Sequence, residues 1–180
     1  MQKQEEKKLD SIGRLLEKNR IKNVLPFIKG RLLDIGCGMN NLVRIYGNGV
    51  GVDVFDWGRA DLVVSDTSKL PFKDNEFDTI TLLAAINHIP NRIEVLKECR
   101  RVLKNDGLLV ITTIPPFVSR FWHFLRSPWD LDQKERGMAE GEVYGFNKKD
   151  LINLVQNEGF RLVGYKRFTI VNSISIFKKF

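Results

Sequence analysis

Three carboxylates close three short apolar runs: Asp34 in "RLLDIG", Asp53 in "GVGVDV" and Asp66 in "LVVSD". Directly after the first come Gly36 and Gly38, on either side of Cys37. A Gly-rich turn that follows a strand ordinarily cradles phosphate with backbone N–H groups. A carboxylate two residues ahead of that turn would repel phosphate. The third position of a G-x-G-x-x-G dinucleotide loop is Asn41, and no Lys-Ser/Thr of a P-loop follows. Asp34 therefore points to a ligand with a cationic group, and a cationic amino acid joined to a nucleoside fits. An acid at Asp53 suits ribose hydroxyls, and one at Asp66 suits the exocyclic amine of adenine. A single Asp at a strand end is usually a cap or a turn former. Three at successive strand ends, with glycines after the first, form a pattern.

The elements that must position these residues follow from periodicity. Residues up to Lys29 read as one or two helices, with Leu9, Ile12, Leu15 and Leu16 on one face. Strands are expected at 31–36, 49–54, 62–66, 77–84 and 108–114, with "NDG" at 105–107 as the turn into the fifth. A short helix is expected at 41–46, stopped by Gly47. A second is expected at 91–103, with Ile93, Leu96, Cys99, Val102 and Leu103 inward. A third, after residue 146, starts at an Asn147 cap and closes at Gly159. Two β segments around Asn172 and Ser173 read as a hairpin at the sheet edge. Alternating β and α units imply an α/β fold, a doubly wound Rossmann-like sheet, mostly parallel, with helices on both faces. Between Asp53 and Leu62 there is no room for a helix, so one face is thinly covered there.

The 180 residues suit one domain. It divides into an N-terminal helical segment (1–30), a core (31–115), an aromatic and basic segment (116–146), and a C-terminal helix with strands (147–180). The net charge is +7. Residues 1–30 carry 8 Lys/Arg against 4 Asp/Glu, residues 31–115 carry 10 against 11, and residues 116–180 carry 11 against 7. The core is near neutral and both ends are basic, which suits an anionic partner or a plain solvated surface. No apolar run approaches the ~20 residues of a bilayer span. The start, "MQKQEEKKLD", lacks a signal-peptide core. Cys37 and Cys99 make no metal spacing. A cytoplasmic protein with free thiols and no metal is expected.

The motifs "LLDIGCGMN", "VGVDV", "SDTSKLPFKDNEFDTI", "LLAAINHI" and "ECRRVLKNDGLLVIT" together resemble the class I S-adenosylmethionine-dependent methyltransferases. The branch resembled most is the one called methyltransferase type 11. The resemblance covers 31–114, and "GFNKKDLINLVQNEGFRLV" continues it. It implies S-adenosyl-L-methionine as cofactor. Asp34 would lie near the methionine amino group, with the backbone of Gly36, Cys37 and Gly38 along the middle. Asp53, followed by Val54, would hold the ribose. Asp66 and Thr67 would meet the adenine, and Leu83 and Ala84 would pack along the cofactor. The chain departs from the family at Asn40, where a third glycine is usual. Asn tolerates left-handed backbone angles, so the turn is expected to survive.

Methyl transfer from a sulfonium is an in-line displacement governed by positioning. A hydroxyl acceptor also needs a base, whereas a neutral amine needs only the right protonation state. His88 in "NHIP" is the base candidate, its alternative being a cap for the following helix; His123 is a weaker one. Phe121, Trp122, Trp129 and Tyr144, with Phe117 and Phe124, are expected to line an apolar pocket for a small-molecule acceptor, or else to be core. Phe121, Trp122 and Leu125 alternate with Arg120 and Arg126, which also suits peripheral membrane contact. The expected activity is methylation of an O or N of a small molecule. Nucleic-acid methylation is the rival, but "LLAA" stands where base-amine enzymes carry Asn/Asp-Pro-Pro-Tyr/Phe. A cofactor-binding module without activity is the third reading.

Overall fold

The computed structural model describes residues 11–118, 140–169 and 172–180. Helix α1 (Ser11–Val24) leads through a 3-10 turn (Leu25–Phe27) into β1 (Leu32–Ile35). Then follow α2 (Asn41–Tyr46), β2 (Gly49–Asp53), β3 (Leu62–Val63) and β4 (Phe77–Leu83). A second 3-10 turn (Ile86–His88) precedes α3 (Arg92–Val102) and β5 (Leu103–Thr113). Helix α4 (Lys148–Asn157), β6 (Phe160–Arg167) and β7 (Ser173–Lys179) complete the described elements.

The seven strands form one sheet in the order β3-β2-β1-β4-β5-β7-β6. Strands β1 to β5 pair in parallel, and β7 runs antiparallel to both β5 and β6. This is the expected doubly wound Rossmann-like sheet with its antiparallel hairpin. The order reverses between β1 and β4, and ligands in such sheets sit at the carboxyl ends of the strands flanking that reversal.

Every residue of β1 is buried, as a central strand covered on both faces requires. Leu33 and Ile35 face the larger core with Val95, Leu96, Cys99 and Val102 of α3 and Leu151 and Val155 of α4. Leu32 faces the other core with Ile21 and Val24 of α1 and Leu42 and Val43 of α2. The side-chain period of two puts Asp34 on the same face as Leu32, toward α1.

Four expectations need correction. The third strand is Leu62–Val63, not 62–66. It is an edge strand, and Val64 N donates to Asp53 O at 2.9 Å just where β2 ends, so Ser65 and Asp66 have no ladder to join. The "NDG" stretch is not a turn before β5 but lies within it: β5 runs from Leu103 to Leu108 while β4 advances only from Phe77 to Thr79. Gly107 is needed in that bulge, since a Cβ there would meet Leu103 Cδ1 at 2.5 Å and Lys104 O at 2.9 Å. In α3, Ile93 is exposed and Val95 is inward, and Leu103 belongs to the strand. In α1, Leu15 is exposed, and Ile21 and Val24 carry the packing.

The segment between β2 and β3 holds no helix, as expected. Asp61 substitutes for part of what a helix would provide. Its Oδ2 accepts from Gly51 N at 2.8 Å and from Asn40 Nδ2 at 2.9 Å. Asn40 Nδ2 also donates to Arg59 O at 3.1 Å. Asn40 thus straps the Gly-rich loop to the 54–61 segment, and it lies where a Gly51 side chain would be. A Cβ on Gly51 would run into Asn40 Oδ1, with Asn40 Cγ at 2.6 Å. Gly51→Ala should therefore destabilise the protein by about 1–3 kcal/mol, the usual cost of overpacking, read as a lower midpoint in urea unfolding.

Candidate functional site

The loop after β1 is built by backbone. Gly36 N and Cys37 N both donate to Val52 O, at 2.8 and 3.1 Å, and Asn40 N donates to Cys37 O at 2.8 Å. Gly36, Gly38 and Asn40 all take positive φ, at 74°, 52° and 57°. Asn40 accepts the left-handed angle as expected and is the N-cap of α2. The two glycines serve different needs. A Cβ on Gly36 would strike Ala85 Cβ at 2.7 Å, whereas one on Gly38 would meet nothing within 4 Å. Gly38 therefore lies under open space, with its N–H tied to Asp53 Oδ2 at 2.8 Å.

Asp53 is buried at the end of β2. Its Oδ2 holds Gly38 N and its Oδ1 holds Phe55 N at 3.1 Å. A carboxylate has about four acceptor sites, so each oxygen keeps one for a hydroxyl. Val54, next along, is half exposed. Asp53→Ala should lower affinity for the nucleoside by at least tenfold, since a charge-assisted hydrogen bond is worth ~1.5–3 kcal/mol. Titration calorimetry with S-adenosylhomocysteine checks this, and an unchanged affinity would shift the ribose contact to Asp56.

Asp34 is 3% exposed, and Thr81 Oγ1 donates to its Oδ1 at 2.6 Å. Burial pushes its carboxyl up to about 7. The charges of Asp53 and Glu17 add to the rise, while the Thr81 hydrogen bond and the Arg20 guanidinium oppose it. A buried acid so poised is stabilised by a cation placed beside it. Cys37 and Cys99 are buried free thiols. Burial, then neighbouring carboxylates, holds both thiols far above their ordinary range, so neither is a nucleophile.

Asp66 is tied to its own turn. It accepts Ser68 N at 2.8 Å, Ser68 Oγ at 2.7 Å and Asn91 Nδ2 at 3.0 Å. These bonds, the Ser68 N–H first, hold its carboxyl below the usual range. Thr67 beside it is buried. At the exit of β4, Ala84 sits at φ 54°, with its N–H donating to Thr112 Oγ1 at 3.0 Å. A non-glycine residue held left-handed is a costly conformation that clusters at ligand sites. Leu83 and Ala84 are half-buried, and Ala85 packs on Gly36.

His88 ends the 3-10 turn after β4 and is half-buried. It does not cap α3: its Nδ1 lies 3.3 Å from Glu142 Oε2. The Glu142 side chain is only 8% exposed. Segment 141–146 is laid over the turn by Val143 N donating to Asn87 O at 2.9 Å and Phe146 N donating to Ile114 O at 3.2 Å. Arg92 fastens it, donating from its guanidinium to Gly141 O and lying over the Phe146 ring. Tyr144 is half-buried in the same segment. Phe121, Trp122, Trp129 and the proposed membrane-contact residues 120–126 lie outside the described residues, as do His123 and Phe124; Phe117 is exposed.

The structure therefore gathers Asp34, the 36–40 loop, Asp53 and Ala84 around the carboxyl ends of β1, β2 and β4. Asp66 joins through Asn91. Sequence reasoning missed Glu142, Thr81, Asp61, Glu17 and Arg20. Among the described residues no cluster of His, Cys, Asp or Glu is arranged to hold a metal. No helix among them is long and apolar enough to cross a membrane.

Residues 33–111 match the family described as the methyltransferase domain. A demethylmenaquinone methyltransferase of Staphylococcus carnosus is 26% identical over 185 residues, covering 84% of this chain and 77% of that protein. Two further curated relatives match over shorter stretches, and the chain spans 36% and 27% of their lengths. The crystal structure of the PH0226 protein of Pyrococcus horikoshii superposes with a TM-score of 0.72 at 19% identity, covering 95% of this chain and 93% of that one. A Burkholderia thailandensis 1,6-didemethyltoxoflavin-N1-methyltransferase, solved with 1,6-didemethyltoxoflavin and S-adenosylhomocysteine, superposes at 0.64 with 16% identity, covering 91% and 76%.

Proposed function

We propose that this chain, a class I S-adenosylmethionine-dependent methyltransferase, methylates a small-molecule acceptor that must lose a proton during transfer, with His88 as the base. The observation that carries the reading is the His88–Glu142 pair beside the exit of β4. The cofactor fits the residues present: open space over Gly38, free acceptor sites on Asp53, and a buried carboxyl at Asp34 that a cation would stabilise. When bound, S-adenosylmethionine supplies an electrophilic methyl group. Asp34 would face its ammonium, Asp53 its ribose, and Thr67 with Asp66 its adenine. Asp66 retains little acceptor capacity for that last role, so the adenine contact would lean on the backbone around Thr67.

With its proton on Nδ1 toward Glu142, His88 keeps a lone pair on Nε2. That nitrogen can take the proton of an acceptor hydroxyl, amine or acidic carbon as the methyl arrives. Glu142 fixes the tautomer and stabilises the imidazolium that forms. Segment 141–146, with Tyr144, would wall the acceptor side. The Staphylococcus relative, named a demethylmenaquinone methyltransferase, supports a small acceptor.

The test incubates the protein with methyl-labelled S-adenosylmethionine and fractionated metabolite extract, and separately with RNA and DNA. Label in a small molecule by mass spectrometry is the expected result. Label in nucleic acid, with binding that weakens steeply with salt, would overturn the reading in favour of nucleic-acid methylation. Cofactor binding with no transfer to any fraction would favour a non-catalytic module.

A further inference from the structure

We infer that Arg20, on the N-terminal helix, is the carboxylate clamp for the amino-acid end of the cofactor. The inference rests on the cofactor reading above and adds a residue from outside the matched domain. Four observations carry it.

Arg20 lies on the face of α1 that packs on the sheet, one residue before buried Ile21 and four before buried Val24. Those two side chains contact Leu32 and the start of α2, so this face of α1 covers the β1 side of the Gly-rich loop. Asp34 shares the face of Leu32 and feels the Arg20 charge. The second observation is that Arg20 Nε is buried and has no hydrogen-bond partner. A guanidinium is a five-donor group that is expensive to bury without acceptors. The third is that the acid one turn away is partly engaged elsewhere: Glu17 Oε1 accepts from Asn41 Nδ2 at 2.9 Å, tying α1 to the start of α2. The fourth is that burial depresses the Arg20 guanidinium, with Glu17 and Asp34 only partly offsetting it.

A half-buried cation whose buried Nε has no acceptor, and a buried acid nearby, form a matched pair for a zwitterion. Asp34 takes the ammonium, and Arg20 takes the carboxylate of the same α-amino acid. Each ligand charge would relieve the desolvation that burial imposes on its partner. The pair together does not suit a nucleotide, whose phosphates Arg20 would attract but Asp34 would repel.

The test compares two ligands by titration calorimetry on the full chain. S-adenosylhomocysteine carries both groups; its decarboxylated analogue keeps the nucleoside, thioether and amine and lacks only the carboxylate. The variant is Arg20→Met, which keeps an unbranched apolar stem without the charge, with Arg20→Lys as a second that keeps the charge. Wild type should prefer the complete ligand by at least tenfold. Arg20→Met should bind both within about twofold of each other, at the level of wild type with the analogue, and Arg20→Lys should keep part of the preference. If Arg20→Met retains the wild-type preference, Arg20 is not the clamp although the cofactor reading stands. If wild type binds both ligands equally, no carboxylate clamp exists. If wild type binds neither, the cofactor reading falls and takes this inference with it.

Discussion

The Asp34→Asn protein is expected to be more stable than wild type at pH 8 and at least tenfold weaker in binding S-adenosylhomocysteine. The two effects come from one buried carboxyl. In the folded protein burial holds that carboxyl up to about 7, whereas in the unfolded chain it ionises near the ordinary ~3.9. Between those values the folded state binds a proton that the unfolded state has lost. Stability from this group is therefore full below pH ~4, falls as pH rises toward 7, and is gone above it. The amide of the variant has no charge to bury and still accepts from Thr81 Oγ1, so the fall disappears. Binding runs the other way. A ligand ammonium favours the ionised carboxyl, so wild type should release a proton on binding below pH 7, and its affinity should rise as pH approaches 7. Calorimetry in buffers of different ionisation enthalpy measures that proton. The variant should release none and should lose a charge-assisted contact of ~1.5–3 kcal/mol. Equal affinity in the variant would place the ammonium elsewhere.

The central sheet was legible because its signals are local. "RLLDIG" is apolar on both faces of a strand and stops at a glycine, and the structure places β1 there with every residue buried. The run 41–46 ends at Gly47, and α2 ends there too. The pattern of acids was legible for the same reason: Asp34 and Asp53 lie at the ends of β1 and β2, and Asp66 follows β3. What local pattern does not encode is the use of an acid once the chain is folded. Asp66 reads like Asp53, yet most of its acceptor sites are taken by Ser68 and Asn91. The short third strand was unreadable because strand length at an edge depends on how far β2 extends, not on β propensity.

Long-range pairing hid the rest. Glu142 lies 54 positions from His88 and reaches it because segment 141–146 bonds to Asn87 and Ile114. Arg20 was obscured by its own helix. The spacing of Leu9, Ile12, Leu15 and Leu16 suggested one inward stripe, but the second half of α1 packs through Ile21 and Val24, and Arg20 beside them has its Nε buried. A signal was present in the sequence: Glu17 and Arg20 are one turn apart and read as a surface ion pair. The structure shows instead that Glu17 Oε1 bonds to Asn41 and that Arg20 Nε is left without an acceptor. Asn40 shows the reverse case, where a departure from the family pattern had a legible companion: the shortened 54–61 connection, to which it is bonded through Asp61 and Arg59.

His88→Ala should lower turnover by ~10²–10⁴-fold, the usual contribution of a positioned base, and leave S-adenosylhomocysteine affinity unchanged. His88 sits in the 3-10 turn past the end of β4, the strand beside the Gly-rich loop's β1. Its charge environment is Glu142 at 3.3 Å and Arg92, which holds the same segment through Gly141. Glu142→Gln separates positioning from chemistry. An amide can donate to Nδ1 and so favour the tautomer that carries its proton on Nε2, where the acceptor's proton must go. Turnover should fall at least about tenfold through that wrong tautomer, with cofactor affinity and folding retained. Measuring kcat and KM across pH for the three proteins, once an acceptor is in hand, decides the matter. If His88→Ala lowers turnover less than about tenfold, the acceptor is an amine that arrives already deprotonated, and the His88–Glu142 pair serves only to fasten segment 141–146. In that case Glu142→Gln should cost stability and not turnover, which urea unfolding of the same three proteins reads directly.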